Sequence, residues 1–223
     1  SRIPYFLTAD HCISSETEAR SVNVYWAYQT PSCNGTPPNP RNLQRSVGAN
    51  YLGGIPSERG DGTLIKLTSV PSGVTFAGWT ADAPDLASNV TGIHHPAGDF
   101  KRISFGTLRA ARTARNADTF WGAFWEGGGL TEGGSSGSGL FLSDGRLVGQ
   151  LSHGPKFDSE AEYCASLPFA DNYGKFSVIF PSIRSYLEGG TGGGTPPATG
   201  TGVLTSGTPA SFRIGPVTGG TLF

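Results

Sequence analysis

Residues 128–151 read GGLTEGGSSGSGLFLSDGRLVGQL. A serine among so many glycines is either flexible filler or a nucleophile whose backbone has to stay unobstructed. The second half of the stretch narrows the choice. Two apolar runs flank Ser143, Asp144 and Gly145, which predicts a hairpin with a residue at positive φ in its turn. A serine loop that feeds a hairpin belongs to a β architecture. The other arrangement, an α/β-hydrolase esterase, would take GGSSG as G-x-S-x-G with Ser135 as nucleophile. It requires a strand before that serine, a helix after it and a late histidine, and a hairpin follows instead.

Outward from this loop the chain keeps the same character. VNVYWAYQ (22–29), DGTLIKLTSV (61–70), VTFAGW (74–79), RLVGQLS (146–152) and KFSVIF (175–180) are apolar or alternating runs of strand length between Gly, Pro, Asp and Ser clusters. Only PSIRSYLE (181–188) reads as a helix, with Pro181 at its start and Ile183 and Leu187 four apart. Residues 1–188 form an all-β body with one short C-terminal helix. From 189 to 202 the Gly, Thr and Pro composition predicts a linker, and 203–223 regain strand alternation as the opening of a further β domain.

Bulk properties exclude some partners. A formal net charge of −1 and a sequence pI of about 6.4 give no electrostatic reason to expect nucleic acid or an anionic membrane. There is no apolar run of about 20 residues and no charged-then-apolar leader. The opening SRIPYFLTADHC reads as a strand entered midway, so the body is expected to lack its first strands. Cys12, Cys33 and Cys164 are an odd number at no metal-like spacing, and neither a metal nor another cofactor is expected. NGT at Asn34 and NVT at Asn89 fit the glycosylation acceptor pattern.

A serine hydroxyl is almost entirely un-ionised at neutral pH, so covalent catalysis needs a base and a group to orient that base. FLTADHC places His11 at the end of an apolar strand, and RGDGTLIKL places Asp61 at the mouth of another. The glycines around Ser136 allow backbone N–H groups to converge on a developing oxyanion. The chain order His, Asp, Ser is the order found on the double β-barrel of chymotrypsin-like proteases. His94 and His95 are adjacent and are expected to serve packing and hydrogen bonding, not a shared metal. Asp10 reads as a polar neighbour of His11, and Trp26, Trp79, Trp121 and Trp125 as packing residues.

The chain resembles the lysyl endopeptidase branch of the chymotrypsin-like serine proteases, which are secreted bacterial enzymes. The resemblance runs through YFLTADHC, VNVYWAYQTPSC, AGW, IHHPAGDFKRIS, GGLTEGGSSGSG, RLVGQLSHGP and DNYGKF, over nearly all of residues 4–188. It implies a chymotrypsin-like double β-barrel with an incomplete first barrel, and a secreted, monomeric enzyme acting on proteins or peptides through an acyl-enzyme. His11 is then the base, Asp61 its orienting partner and Ser136 the nucleophile, with the N–H groups of Gly134 and Ser136 as oxyanion hole. Asp171 matches the pocket aspartate that receives lysine. Ser152 and His153 stand where the family has a histidine directly after GQL, and no tryptophan matches the one that stacks on it, so the pocket is expected to accept arginine as well. The resemblance pairs Cys12, Cys33 and Cys164 with upstream cysteines that this sequence does not contain. Ser135 replaces the aspartate that receives a freed N-terminal amine in many animal members. The competing reading is a catalytically inactive binding module or fragment on the same scaffold.

Overall fold

The computed structural model describes residues 3–33, 35–111, 117–126, 129–157, 159–166 and 169–188. The expected linker (189–202) and trailing β segment (203–223), and the acceptor at Asn34, lie outside the described residues. The chain orders as β1 (Tyr5–Thr8), α1 (Glu16–Ser21), β2 (Asn23–Tyr25), β3 (Arg45–Val47), β4 (Ala49–Ile55) and β5 (Gly62–Leu67) in its first half. The second half comprises β6 (Asn89–His94), β7 (Arg102–Ala110), β8 (Phe120–Trp125), β9 (Gly139–Leu142), β10 (Leu147–His153), α2 (Glu160–Ala165), β11 (Ala170–Lys175) and α3 (Phe176–Leu187).

The two halves close differently. β6 to β11 form a closed antiparallel barrel in the order β10, β11, β8, β7, β6, β9. Among the described residues the first half is an open sheet, β1 beside β5 beside β4, with β2 and β3 as a separate pair. The fold is therefore the expected all-β one. The hairpin read from LFLSDGRLVGQL is β9 and β10, with Leu147 opposite Phe141 and Gly145 at φ 85° in the turn.

Burial explains this arrangement. Val90, Leu108, Trp121, Ala123, Trp125, Leu140, Val148, Leu151 and Tyr173 fill the closed barrel. β5 alternates as a strand between two covered faces must: Ile65 and Leu67 join Ala19, Trp26 and Ala49 on one face. On the other, Leu64 meets Ile93, Phe141 and Leu147 of the barrel and Phe176, Ile179 and Ile183 of α3. That mixed cluster glues the halves together.

Four local readings need correction. KFSVIF, expected as a strand, is helical from Phe176 onward as the first half of α3, with Lys175 ending β11, because Phe176, Ile179 and Ile183 recur at helical spacing and all face the shared cluster. Pro181 consequently lies inside this helix instead of starting it, forgoing the N–H bond toward Ser177. VTFAGW forms no strand; Trp79 makes an isolated bridge to Leu147 of the barrel and packs on Phe176 and Phe180 at 5.3 and 5.0 Å between ring centroids. α1 and α2 were not expected. Both carry a signal: Ser15 accepts from the N–H of Glu18, and Ser159 from that of Glu162, each a serine three residues before a glutamate.

One glycine governs how closely the halves approach. Gln150 on β10 donates its Nε2 to the carbonyls of Gly60 and Asp61, both at 2.9 Å, and Gly174 on β11 lies directly beneath that bond. A Cβ at Gly174 would collide with the Gly60 carbonyl oxygen and with Gln150 Nε2. Gly174→Ala is expected to lower stability by about 1–3 kcal/mol, seen as a lower Tm.

Candidate active site

Asp61 sits at the entrance of β5 with φ 56°, a left-handed backbone that aspartate tolerates better than most residues. Its N–H donates to Pro56, and its carbonyl accepts from the N–H of Asp10 at 3.2 Å as well as from Gln150. The turn so fixed buries the carboxylate almost completely. Three donors converge on it. The backbone N–H of His11 donates to Oδ1 at 2.9 Å, His11 Nδ1 lies 2.7 Å from Oδ2, and the Ser152 hydroxyl donates to Oδ2 at 2.5 Å.

An ionised carboxylate only accepts, so the proton of a neutral His11 ring lies on Nδ1. Nε2 then carries the lone pair, and the side chain is 37% exposed, so that lone pair is within reach of a substrate. Asp10 follows the sequence reading in part: it lies in the same turn, where Thr63 donates to it weakly at 3.4 Å. Ser152, expected in the substrate pocket, commits its hydroxyl to Asp61 instead. A bulge between Leu151 and His153 puts it there. His153 follows, its Nδ1 3.0 Å from the Ser152 hydroxyl and its ring edge-on to Phe120.

The serine loop docks beside this pair. Gly137, at φ 79°, donates its N–H to the Leu151 carbonyl, and a Cβ on it would come within 2.9 Å of the Ala9 nitrogen, two residues before His11. Ser136 is partly accessible, whereas Ser135 is 1% exposed. Among the described residues, the Ser136 hydroxyl forms no hydrogen bond to the His11 ring. The N–H groups of Gly134 and Ser136 likewise have no acceptor there, while those of Ser135, Gly137 and Ser138 donate to Glu132, Leu151 and Ser135. Gly134, at φ 94°, fits under the 95–98 loop, where a Cβ would stand 3.0 Å from the Gly98 nitrogen.

Asp171 lies on β11 opposite Ala123 of β8 and is wholly buried. Trp125 Nε1 and the Thr131 hydroxyl donate to Oδ2 at 2.5 and 2.7 Å, and Oδ1 has no partner. Trp125 thus packs the barrel and also holds this carboxylate. Burial raises the Asp171 pKa to about 6, against the opposing effect of those two hydrogen bonds. Gly154 is the backbone next to the unpaired oxygen; a Cβ there would collide with Oδ1. Nearby, Glu132, Gly133, Pro155, Phe157, Ser159 and Tyr163 line a pocket of about 370 Å³. The Tyr163 hydroxyl donates to the Thr131 carbonyl, linking that pocket to the residue that holds Asp171.

His94 and His95 serve separate contacts: His94 reaches Ser135 and Ser104, and His95 stacks on Tyr28 at 6.0 Å and meets the Asp99 carbonyl. Among the described residues no cluster of three His, Cys, Asp or Glu side chains is placed to hold a metal. Cys12, Cys33 and Cys164 are free and exposed, so no disulfide staples His11 in this structure. No described helix is long and apolar enough to cross a membrane.

The family model for the lysyl endopeptidase C-terminal domain matches residues 1–173. The chain belongs to the lysyl endopeptidase family. It is 31% identical over 194 residues to the lysyl endopeptidase of Pseudomonas aeruginosa, covering 82% of this chain and 40% of that protein. The chain thus spans about two fifths of the length of the curated relative it matches. Among solved structures, an HtrA-type protease with a decapeptide aligns with TM-score 0.55 and 17% identity, over 86% of this chain and 50% of the other. Kallikrein-related peptidase 10 aligns with TM-score 0.52 and 16% identity, over 83% of each chain. These likenesses establish the chymotrypsin-like serine protease fold, and with it exclude the α/β-hydrolase arrangement around Ser135.

The carboxylate of Asp171 makes a distinct stability prediction. Its folded pKa is raised from 3.8 to about 6, so its contribution is intact below about 4 and is lost as pH rises through about 6. At pH 7 the ionised form costs the fold about 3 kcal/mol. Asp171→Asn is therefore expected to gain Tm relative to the parent at pH 7 and to lose that advantage at pH 4, in paired melts.

Proposed function

We propose that this chain is the peptidase region of a secreted serine endopeptidase that cleaves after lysine, and also after arginine, in protein and peptide substrates. The observation that carries the reading is the carboxylate of Asp61. It accepts the backbone N–H and the Nδ1 proton of His11, and it turns the basic Nε2 outward beside the loop that presents Ser136.

In this reading His11 Nε2 removes the Ser136 proton as the oxygen attacks the scissile carbonyl. Asp61 fixes the ring tautomer and stabilises the imidazolium that forms. The N–H groups of Gly134 and Ser136, which spend themselves on no acceptor among the described residues, are free to bind the oxyanion. Collapse releases the amine with the proton from His11 and leaves an acyl-enzyme on Ser136. Water then attacks the ester, again with His11 as base, and returns the serine. Preorganised N–H donors matter here because losing one costs such enzymes about 10²–10³ in kcat.

Asp171 supports the preference for a cationic side chain. A buried carboxylate that destabilises the fold when ionised and keeps one oxygen unpaired is completed by an ammonium or guanidinium ion. Gly154 leaves the approach to that oxygen free of a side chain. Because Asp171 is fully covered, entry of the substrate side chain has to displace part of that cover. The 31% identical relative, named as a lysyl endopeptidase, favours lysine as the main substrate residue.

Two measurements test this. Ser136→Ala is expected to abolish covalent labelling by a peptide phosphonate, while Ser135→Ala leaves labelling at the serine in place; the reverse pattern would refute the assignment. Asp171→Asn is expected to lower kcat/KM for lysyl substrates by the equivalent of about 2–5 kcal/mol. An unchanged residue before each cut, at unchanged rate, would remove Asp171 from the pocket.

A further inference from the structure

His94 is a titratable residue at 1% exposure whose ring meets hydroxyls, and the triad does not use it. Its two ring nitrogens are both engaged: Nδ1 lies 2.9 Å from the Ser135 hydroxyl and Nε2 lies 3.1 Å from the Ser104 hydroxyl. Donor counting fixes every proton in this chain. The Leu130 carbonyl can only accept, so the Ser104 hydroxyl spends its proton there, at 3.2 Å. Ser104 must then accept from His94, which puts the ring proton on Nε2. Nδ1 is left as an acceptor and takes the Ser135 proton. The Ser135 oxygen in turn accepts the backbone N–H of Glu132 at 3.3 Å.

The order is therefore Glu132 N–H to Ser135, Ser135 to His94, His94 to Ser104, and Ser104 to the Leu130 carbonyl. It begins and ends on the segment 130–135, while its middle stands on β6 through His94 and on β7 through Ser104. We propose that His94 is a positioning residue that anchors the serine loop to the barrel wall and thereby aims the N–H groups of Gly134 and Ser136 at the reacting carbonyl oxygen. The proposal rests on the serine-peptidase reading above and deepens it.

Two further observations support it. Ser135 lies between Gly134 and Ser136, the two residues whose N–H groups are unspent, so the direction of both depends on where its side chain is held. A second backbone contact braces the loop from the other side, where Ala97 donates its N–H to the Gly133 carbonyl at 2.7 Å. The proton order also demands a neutral ring, and burial, with His95 and Arg102 nearby, holds the His94 pKa down to about 4. A neutral hydrogen bond from below thus does here what an ion pair to an N-terminal amine would do for an aspartate in the position of Ser135.

The test compares Ser135→Ala, His94→Leu, His94→Asn and Ser104→Ala in the purified protein, with circular dichroism and Tm recorded for each. A mis-aimed oxyanion hole lowers kcat while leaving ground-state binding unchanged. Ser135→Ala and His94→Leu are expected to lose about tenfold or more in kcat, with KM within about twofold of the parent. Inhibition by a peptide boronate, which forms a tetrahedral adduct, should weaken in parallel, while competition by an alkylamine for the specificity pocket should not change. His94→Asn, whose Oδ1 can still accept from Ser135, should recover most of the loss seen with His94→Leu.

Parent-like kcat in a folded Ser135→Ala protein would overturn the proposal, as would equal losses in the Asn and Leu variants. If both His94 variants melt far below the parent, Ser104→Ala decides, because it breaks only the far end of the chain: a selective loss of kcat supports the anchor and an unchanged kcat overturns it. Failure of the parent itself to react with a phosphonate would instead refute the peptidase reading.

Discussion

A carboxylate with almost no access to water must be surrounded by donors, and Asp61 obtains its donors from two distant parts of the chain. His11 comes from the end of β1, Ser152 from β10, and the turn that carries Asp61 is held through its carbonyl by Gln150. Without them the ion would be stranded in a poorly polarisable interior at a cost of several kcal/mol. The need to satisfy one negative charge therefore dictates how the open sheet is set against the closed barrel. Gly174 follows from the same demand, since a side chain there would collide with the Gly60 carbonyl and with Gln150.

The serine loop solves a different problem. The N–H groups of Gly134 and Ser136 have no acceptor among the described residues while those of Ser135, Gly137 and Ser138 do, and a loop of glycines alone has no means of holding such a shape. The structure supplies rigidity from outside: Leu151 accepts from Gly137, Gly133 accepts from Ala97, and His94 engages Ser135. Glycine provides the allowed backbone, and the barrel provides the constraint.

Much of this was legible in the sequence because it depends on local grammar. The hairpin after the serine loop announces itself through Ser143, Asp144 and Gly145, and the alternation of Leu64 with Ile65 marks β5. His11 and Asp61 were recognisable from their strand-end contexts and the family resemblance, and the structure brings them together. KFSVIF was misread because a six-residue apolar run has no unique period; only the later Ile183 and Leu187 reveal the helical spacing. α1 and α2 are too short for periodicity to show, and their capping serines were the available signal. VTFAGW failed for another reason: strand-like residues need a neighbouring edge, and Trp79 finds one point of the barrel and then aromatic rings. The hydroxyl of Ser152 turned toward Asp61, and the ring of His94 turned toward Ser135, could not be read at all, since both depend on contacts across long sequence separations.

The cluster shared by Leu64, Ile93, Phe141, Leu147, Phe176, Ile179 and Ile183 has a consequence for how the molecule comes apart. Its members belong to the sheet, the barrel and the last helix, so none of the three can lose its packing without uncovering the apolar surface of the other two. Such an arrangement behaves as one cooperative unit, and denaturation should proceed in a single transition instead of a stepwise loss of halves. His11 and Ser136, although carried by different halves, are then ordered and disordered together.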